Sequence, residues 1–223
     1  FYSEAIIYNF SCLIKEHYLK NYAYNDCAIS DVSYKDLFSR NPGSMAGLFK
    51  NNFFVETLNI KPNDSFLDCG CGVGSNIKEV FAYFPDARVT AFDLSRNAID
   101  FAKNMFVGKK IDLFHGSVLD LEVFGRFTDK SIDNVFFANM FPLILSGSIE
   151  ETRRTRQLII NEAVRIAVKN VILNEKLVSP DKIFIEQKYR AAFYEDFSVY
   201  FDCFKSQGDL LMSRNLIIFH KKR

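Results

Sequence analysis

The residues with the most chemical content are an acid and three glycines at every second position: Asp68, Gly70, Gly72 and Gly74, at the end of a short apolar run. A glycine lacks a Cβ and tolerates positive φ, so a strand that feeds such a turn and then a helix brings backbone close to a nucleotide-like ligand. A second apolar run, Ala87–Asp93, ends in another acid 19 residues after Gly74, which leaves room for one intervening helix. A carboxylate at the tip of the second strand of a doubly wound sheet accepts hydrogen bonds from both hydroxyls of a ribose, and Asp93 is assigned that role. The spacing is Gly-x-Gly-x-Gly, which departs from the Gly-x-Gly-x-x-Gly of dinucleotide sites. Ser75 or Asn76 is expected to cap the following helix, with Glu79 reaching back toward an Asn76 cap and Ile77, Val80, Phe81 and Phe84 on one face.

The lead-in Lys61-Pro62-Asn63-Asp64 and the core Asp68-Cys69-Gly70-Cys71-Gly72 resemble motif I of the class I S-adenosylmethionine-dependent methyltransferases. The resemblance implies S-adenosyl-L-methionine as cofactor and S-adenosyl-L-homocysteine as product, with no metal. It implies that Asp68 faces the ammonium of the methionine end, that Gly70, Cys71, Gly72 and Gly74 line that end with backbone, and that Asp93 with Leu94 beside it holds the ribose. Ser117 and Val118 fall where the family has Gly-Asp and a small or apolar residue at the adenine. Ser117 replaces the usual acid; Asp120 is a substitute for it, and the Val118 amide needs no particular side chain to donate to the ring. The implied fold is a Rossmann-like, doubly wound α/β sheet of seven mostly parallel strands with an antiparallel last strand, preceded by an N-terminal helical cap over residues 1–60; residues 61–223 form the cofactor-binding core.

The implied reaction is an SN2 displacement in which a nucleophile of a small-molecule acceptor, expected to be oxygen of a metabolite, sugar or lipid-head-group intermediate, attacks the sulfonium methyl. Alignment of nucleophile and methyl in a dry site supplies much of the catalysis, so a dedicated base is dispensable. A hydroxyl acceptor benefits from one, and His115, at a strand end on the cofactor side, is the candidate. Asn139 is the second catalytic candidate and also a cofactor contact, because the end of the fourth strand delivers residues to the cleft. The stretch Phe137-Ala138-Asn139-Met140-Phe141 lacks the prolines that base- and glutamine-directed enzymes carry there, and Asp133-Asn134 comes too early for a metal-binding acid.

Other elements must position these groups. Ile111–Phe114 reads as a third strand, Ile132–Phe137 as a fourth and Val171–Asn174 as a fifth. Ser95 caps a helix to about Phe106, and Ser148-Ile149-Glu150-Glu151 has capping-box spacing for a helix to about Ala167. Two apolar runs, Phe197–Phe204 and Asn215–His220, are expected to form a hairpin around Gln207-Gly208-Asp209. In the cap, Phe10, Ile14, His17 and Tyr18 share helical spacing, as do Met45 and Leu48, then Phe54, Val55 and Leu58; Tyr24, Tyr34 and Ser44 are candidates to face an acceptor.

The chain has 223 residues, enough for one α/β domain, and 28 basic against 27 acidic residues give it a net charge of +1. That balance provides no electrostatic footprint for nucleic acid. Five cysteines, an odd number, and no signal-like start point to a reducing cytoplasm; Cys69 and Cys71 are read as packing residues, since zinc pairs need wider spacing and more ligands. No apolar run reaches the length of a membrane span. Two other readings compete with an active methyltransferase: a non-catalytic S-adenosylmethionine-binding regulatory or partner subunit, and an NAD-dependent oxidoreductase with a degenerate turn. Oligomeric state is not encoded in any motif.

Overall fold

The computed structural model describes residues 31–40, 43, 45–50, 52–141, 144, 149–174, 201, 204, 206–213 and 216–222. Three helices come first, α1 (Asp31–Arg40), α2 (Ala46–Lys50) and α3 (Asn52–Thr57). Alternating units follow: β1 (Ser65–Cys69), α4 (Ser75–Tyr83), β2 (Arg88–Asp93), α5 (Arg96–Met105), β3 (Ile111–His115), α6 (Leu121–Phe124), β4 (Ile132–Ala138), α7 (Ile149–Ile166) and β5 (Ala167–Asn174). The chain ends in β6 (Gly208–Ser213) and β7 (Leu216–Lys221). Seven strands make one sheet in the order β3-β2-β1-β4-β5-β7-β6, parallel except for β7, which runs antiparallel to both β5 and β6. This is the expected Rossmann-like methyltransferase architecture.

The central strands β1, β4 and β5 carry apolar residues on both faces because both faces are covered. Neighbours in sequence alternate between two cores: Leu67, Val135, Phe137, Val171 and Leu173 pack with Ile159, Ile160 and Ala163 of α7, while Phe66, Phe136 and Ile172 pack with Ile77 and Val80 of α4 and Ile99 and Ala102 of α5. The second core also takes in Met45, Leu48, Phe49, Leu58 and Ile60, so residues that precede the glycine strand share the core of the sheet domain. Phe49 packs edge-on against Phe66 at 6.3 Å and Phe84 at 5.4 Å, contacts worth about 0.5–1.5 kcal/mol each beyond area burial.

A polar network ties the other end of the sheet. Lys169 pairs with Asp64 and lies 3.3 Å from Asp133, Asn134 Nδ2 donates to Asp64 at 3.1 Å, and Asn170 Nδ2 donates to Asn134 Oδ1 at 2.6 Å and to the Leu58 carbonyl at 3.0 Å. His220 Nδ1 meets Asn170 Oδ1 at 2.7 Å. Each group has a partner, so the network fixes the relative heights of β1, β4, β5 and β7 at this end without an unpaired buried charge. It also puts Asp133, Asn134 and His220 at the end of the sheet remote from the glycine turn.

Some expectations need correction. The hairpin pairs Gly208–Ser213 with Leu216–Lys221, so Gly208 and Asp209 lie in a strand and not in its loop. Gly208 is pressed against the His220 carbonyl, where a Cβ has no room. Phe201 is helical and Phe204 sits in a turn; Phe201 stacks on Phe219 at 5.4 Å, so Phe201 supplies cover for the sheet instead of an edge. The rest of Phe197–Phe204 lies outside the described residues, as do Phe10, Ile14, His17, Tyr18, Tyr24, Ser44 and Ser148. The fifth strand is longer than expected and starts at Ala167, directly after α7. Lys221 Nζ satisfies carbonyls that this abrupt junction would leave open, donating to Val164 O and Ala167 O at 2.6 and 2.7 Å.

Candidate functional site

The parallel register brings the sequence candidates to one edge of the sheet. Asp68 is the penultimate residue of β1 and the glycines follow its tip, Asp93 ends β2 with Leu94 just beyond, His115 ends β3 with Ser117 and Val118 just beyond, and Asn139 follows β4. In a doubly wound sheet this carboxyl edge, where the strand order reverses between β1 and β4, is the usual crevice for a ligand.

Asp68 has the least ordinary environment. Its side chain is fully buried, and neither carboxylate oxygen has a hydrogen-bond partner among the described residues. Burial, and next the nearby charge of Asp93, push its carboxyl well above the usual carboxylate range. A buried, unsatisfied carboxylate is costly unless a cation or strong donors come to it. Cys69 and Cys71 lie on either side of this turn entry, both buried with thiols pushed up by desolvation and then by Asp68; Cys71 Sγ lies 3.6 Å from the Gly72 carbonyl. These are inert packing thiols by environment. Among the described residues no group of three or more His, Cys, Asp or Glu is arranged to hold a metal ion.

Gly70, Gly72 and Gly74 have φ of 81°, 53° and 87°, in the left-handed region that disfavours a side chain. Their surroundings differ. A Cβ on Gly74 would sit 2.6 Å from the Phe106 ring and one on Gly70 2.8 Å from Met140 Sδ, whereas Gly72 has nothing within 4 Å. The open face of the turn is therefore at Gly72. Asp93 sets its position: one carboxylate oxygen accepts from Gly72 N at 2.7 Å, the other from Ser95 N at 2.8 Å. The Gly70 and Cys71 amides both donate to the Phe92 carbonyl, at 2.9 and 3.0 Å. Asp93 is only half-buried.

Helix α4 departs from expectation at its start. Its N-cap is Gly74, with no side-chain cap, and neither Ser75 nor Asn76 fills that place. Asn76 is buried within the first turn, and its Oδ1 accepts from Met45 N at 3.2 Å. The Ser95 cap on α5 holds, with Oγ accepting from Ala98 N at 3.1 Å. Asp120 caps α6 by accepting from Glu122 N at 3.1 Å, and Ser117 Oγ accepts from Leu119 N at 3.2 Å.

Asn139 is exposed with φ 56°, and its N–H donates to the Asn174 carbonyl at 3.0 Å, joining the tips of β4 and β5. Left-handed backbone is tolerated by Asn better than by most residues. The turn it makes seats Met140 over Gly70 and lets Phe141 pack edge-on against Phe137 at 5.1 Å. Neither contact had a signal in the sequence. His115 is exposed on the outer strand, three strand spacings or roughly 14 Å from β4, so the two catalytic candidates stand at opposite sides of the crevice. Tyr34 is buried against Phe101 at 5.6 Å.

Comparison with known proteins agrees with this geometry. Residues 66–156, the span that holds every candidate above except Tyr24, Tyr34 and Ser44, match a family model described as a methyltransferase domain. The chain is 34% identical over 93 residues to phosphoethanolamine N-methyltransferase 1 of Arabidopsis thaliana, covering 42% of this chain and 18% of that protein. It is 27% identical over 125 residues to malonyl-acyl-carrier protein O-methyltransferase of Priestia megaterium, covering 56% and 43%. The chain thus spans less than half the length of these curated relatives. Among solved structures, the plantazolicin methyltransferase BpumL in complex with a monoazolic desmethylPZN analog and SAH superposes with a TM-score of 0.63 at 13% identity, covering 99% of this chain and 98% of that one. A SAM-dependent methyltransferase from Aquifex aeolicus gives 0.57 at 14% identity, covering 86% and 97%. At such identities the likeness concerns the fold.

Proposed function

We propose that this chain, whose residues 66–156 match a methyltransferase domain, is a class I S-adenosylmethionine-dependent methyltransferase that binds S-adenosylmethionine across the tips of β1 and β2 and transfers the methyl group to a small-molecule acceptor. The observation that carries this reading is Asp68, a buried carboxylate that lacks a partner among the described residues and sits beside an open glycine turn. A ligand ammonium would supply the missing charge, and the pair of acids Asp68 and Asp93 makes the turn favourable for a cationic ligand. Asp93, bonded to Gly72 N at the end of β2, is the ribose acceptor of this reading, with Leu94 beside it; Gly70, Cys71, Gly72 and Gly74 contribute backbone, and Ser117 and Val118 flank the adenine side. When bound, S-adenosylmethionine supplies an electrophilic methyl carbon on a positively charged sulfur.

The chain's own contribution to transfer is orientation and exclusion of water at the β4 side of the crevice, where Asn139 follows the strand tip. His115 belongs to the opposite, adenine side. With the histidine candidate this far from Asn139, the arrangement favours a nucleophile that needs no enzymic base: an amine that sheds its proton to solvent before it enters, or a carboxylate oxygen. The relatives named above include one N-methyltransferase and one O-methyltransferase, which accords with either. Replacing Asn139 by Gly keeps the left-handed backbone while removing the amide. It is expected to lower kcat about ten-fold, the worth of one oriented hydrogen bond, and to weaken S-adenosylhomocysteine binding by less than that. Unchanged turnover would reduce Asn139 to a backbone hinge.

The proposal is tested by titration calorimetry with S-adenosylhomocysteine and with NADH, followed by methyl-transfer assays on phosphoethanolamine-like amines and on short-chain carboxylic acids. Micromolar or tighter binding of S-adenosylhomocysteine, no heat with NADH and transfer to one acceptor class are expected. Binding without transfer to any acceptor would make the chain a cofactor-sensing subunit, and NADH binding alone would remove the reading altogether.

A further inference from the structure

The start of α4 has an arrangement that neither the fold nor the proposed reaction requires. Gly43 is buried where the chain before α2 crosses the first turn of α4, and a Cβ there would lie 2.5 Å from the Ser75 carbonyl oxygen and 2.8 Å from Asn76 Cα. Those obstacles are backbone atoms, which cannot swing aside as a side chain can. Two residues on, Met45 N donates to Asn76 Oδ1 at 3.2 Å, and both residues are buried. Asn76, the second residue of a helix that has no side-chain cap, therefore reaches out of that helix to hold the crossing chain. Lys78, within the same turn of helix, donates to the Phe38 carbonyl at 2.7 Å and lies 5.1 Å from the Phe38 ring. Phe38 in turn packs edge-on against Phe106, the ring that fills the space at Gly74. The glycine turn is thus gripped from outside: Gly74 is backed by Phe106, and the helix that follows it is braced at Ser75, Asn76 and Lys78 by Phe38, Gly43 and Met45.

We propose that Gly43 and Asn76 are positioning residues for the cofactor turn, a brace by which the segment before the sheet sets the height of α4 and so the opening at Gly72. This rests on the reading of the glycine turn as the S-adenosylmethionine site. The brace acts on the ligand only through the turn, because neither residue is among those assigned to touch the cofactor. Its logic is that of close packing: two backbones in contact have one distance of approach, and a single added methyl must displace one of them. A displaced first turn carries Gly74 with it, and the loop from Gly70 to Gly74 is short enough that its amides follow.

The test compares Gly43→Ala, Asn76→Ala and Gly47→Ala with the unaltered chain, by calorimetry with S-adenosylhomocysteine well below the melting temperature. Gly47 is exposed on α2 with nothing within 4 Å of an added Cβ, so its substitution controls for mutation of the same segment. Gly43→Ala is expected to raise Kd at least about ten-fold and Asn76→Ala about five-fold, with stoichiometry near one, while Gly47→Ala stays within about two-fold. A merely structural role would lower the melting temperature and the binding-competent fraction but leave Kd of the folded protein unchanged; that result in Asn76→Ala overturns the inference even where Gly43→Ala fails to fold. Absence of binding by the unaltered chain would instead remove the cofactor reading on which the brace depends.

Discussion

Replacement of Asp68 by Asn is expected to weaken S-adenosylhomocysteine binding at least about 100-fold and, in the same protein, to raise the melting temperature of the ligand-free state. Both effects have one cause. The carboxylate is fully buried with no partner among the described residues, so it costs the ligand-free fold stability whenever it is ionised. In the proposed complex the ligand ammonium is its partner, and removing one member of a buried charged pair costs about 3–5 kcal/mol, more than the roughly 2.8 kcal/mol that 100-fold represents. The pH dependence has a definite sign. The folded pKa is raised, first by desolvation and second by Asp93, so the contribution of Asp68 to ligand-free stability is greatest in acid and is lost as pH rises from the ordinary carboxylate range through the raised folded value. Affinity moves the other way over that window, because the ionised carboxylate is the form that binds the ammonium. Thermal unfolding as a function of pH should show this slope in the unaltered chain and its loss in Asp68→Asn. Equal affinity in the two proteins would remove Asp68 from the site.

The Asp93→Ala variant is expected to lose S-adenosylhomocysteine at least about 100-fold as well, with a different ligand signature. Its carboxylate accepts from Gly72 N at 2.7 Å and Ser95 N at 2.8 Å, and hydrogen bonds to a charged group are worth about 1.5–3 kcal/mol each. Truncation frees the turn at its open glycine and removes the proposed ribose acceptor together. Ser95 still caps α5 through its own hydroxyl, so the helix and the sheet should persist with a reduced melting temperature. The nucleoside 5′-methylthioadenosine, which lacks the amino-acid end, separates the two acids. It should lose affinity for Asp93→Ala to a similar degree and bind Asp68→Asn nearly as well as the unaltered chain. A loss of both ligands in both variants would mean that the turn has collapsed, and the separate roles assigned to the two acids would fall.

The division of labour around the turn explains why some positions were readable and others were not. Asp68, the three glycines and Asp93 are local: a strand end, a turn that needs positive φ and a second strand end, all in one short stretch of chain. The Ser95 cap is equally local, since its acceptor and donor are three residues apart. Asn76 has a comparable residue type near a helix start, but there the local rule failed: Gly74 is the N-cap, Asn76 lies inside the first turn, and its oxygen accepts from Met45, 31 residues away. The hairpin failed for a related reason. An aromatic run has the composition of a strand whether it pairs at an edge or covers a face, and for Phe201 the ring of Phe219 decides.

By itself the sequence determined the five parallel strands from β1 to β5 and the glycine turn between two strand-end acids, because periodicity, turn chemistry and motif spacing are properties of neighbouring residues. Tertiary structure alone decided which carboxylate is left without a partner among the described residues, that the turn opens at Gly72 and is filled at Gly70 and Gly74, that His115 and Asn139 lie on opposite sides of the crevice, and that Gly43 bears on α4. Each of these depends on atoms brought together from distant points in the chain, and the burial, charge and clearance they experience exist only once the sheet has assembled.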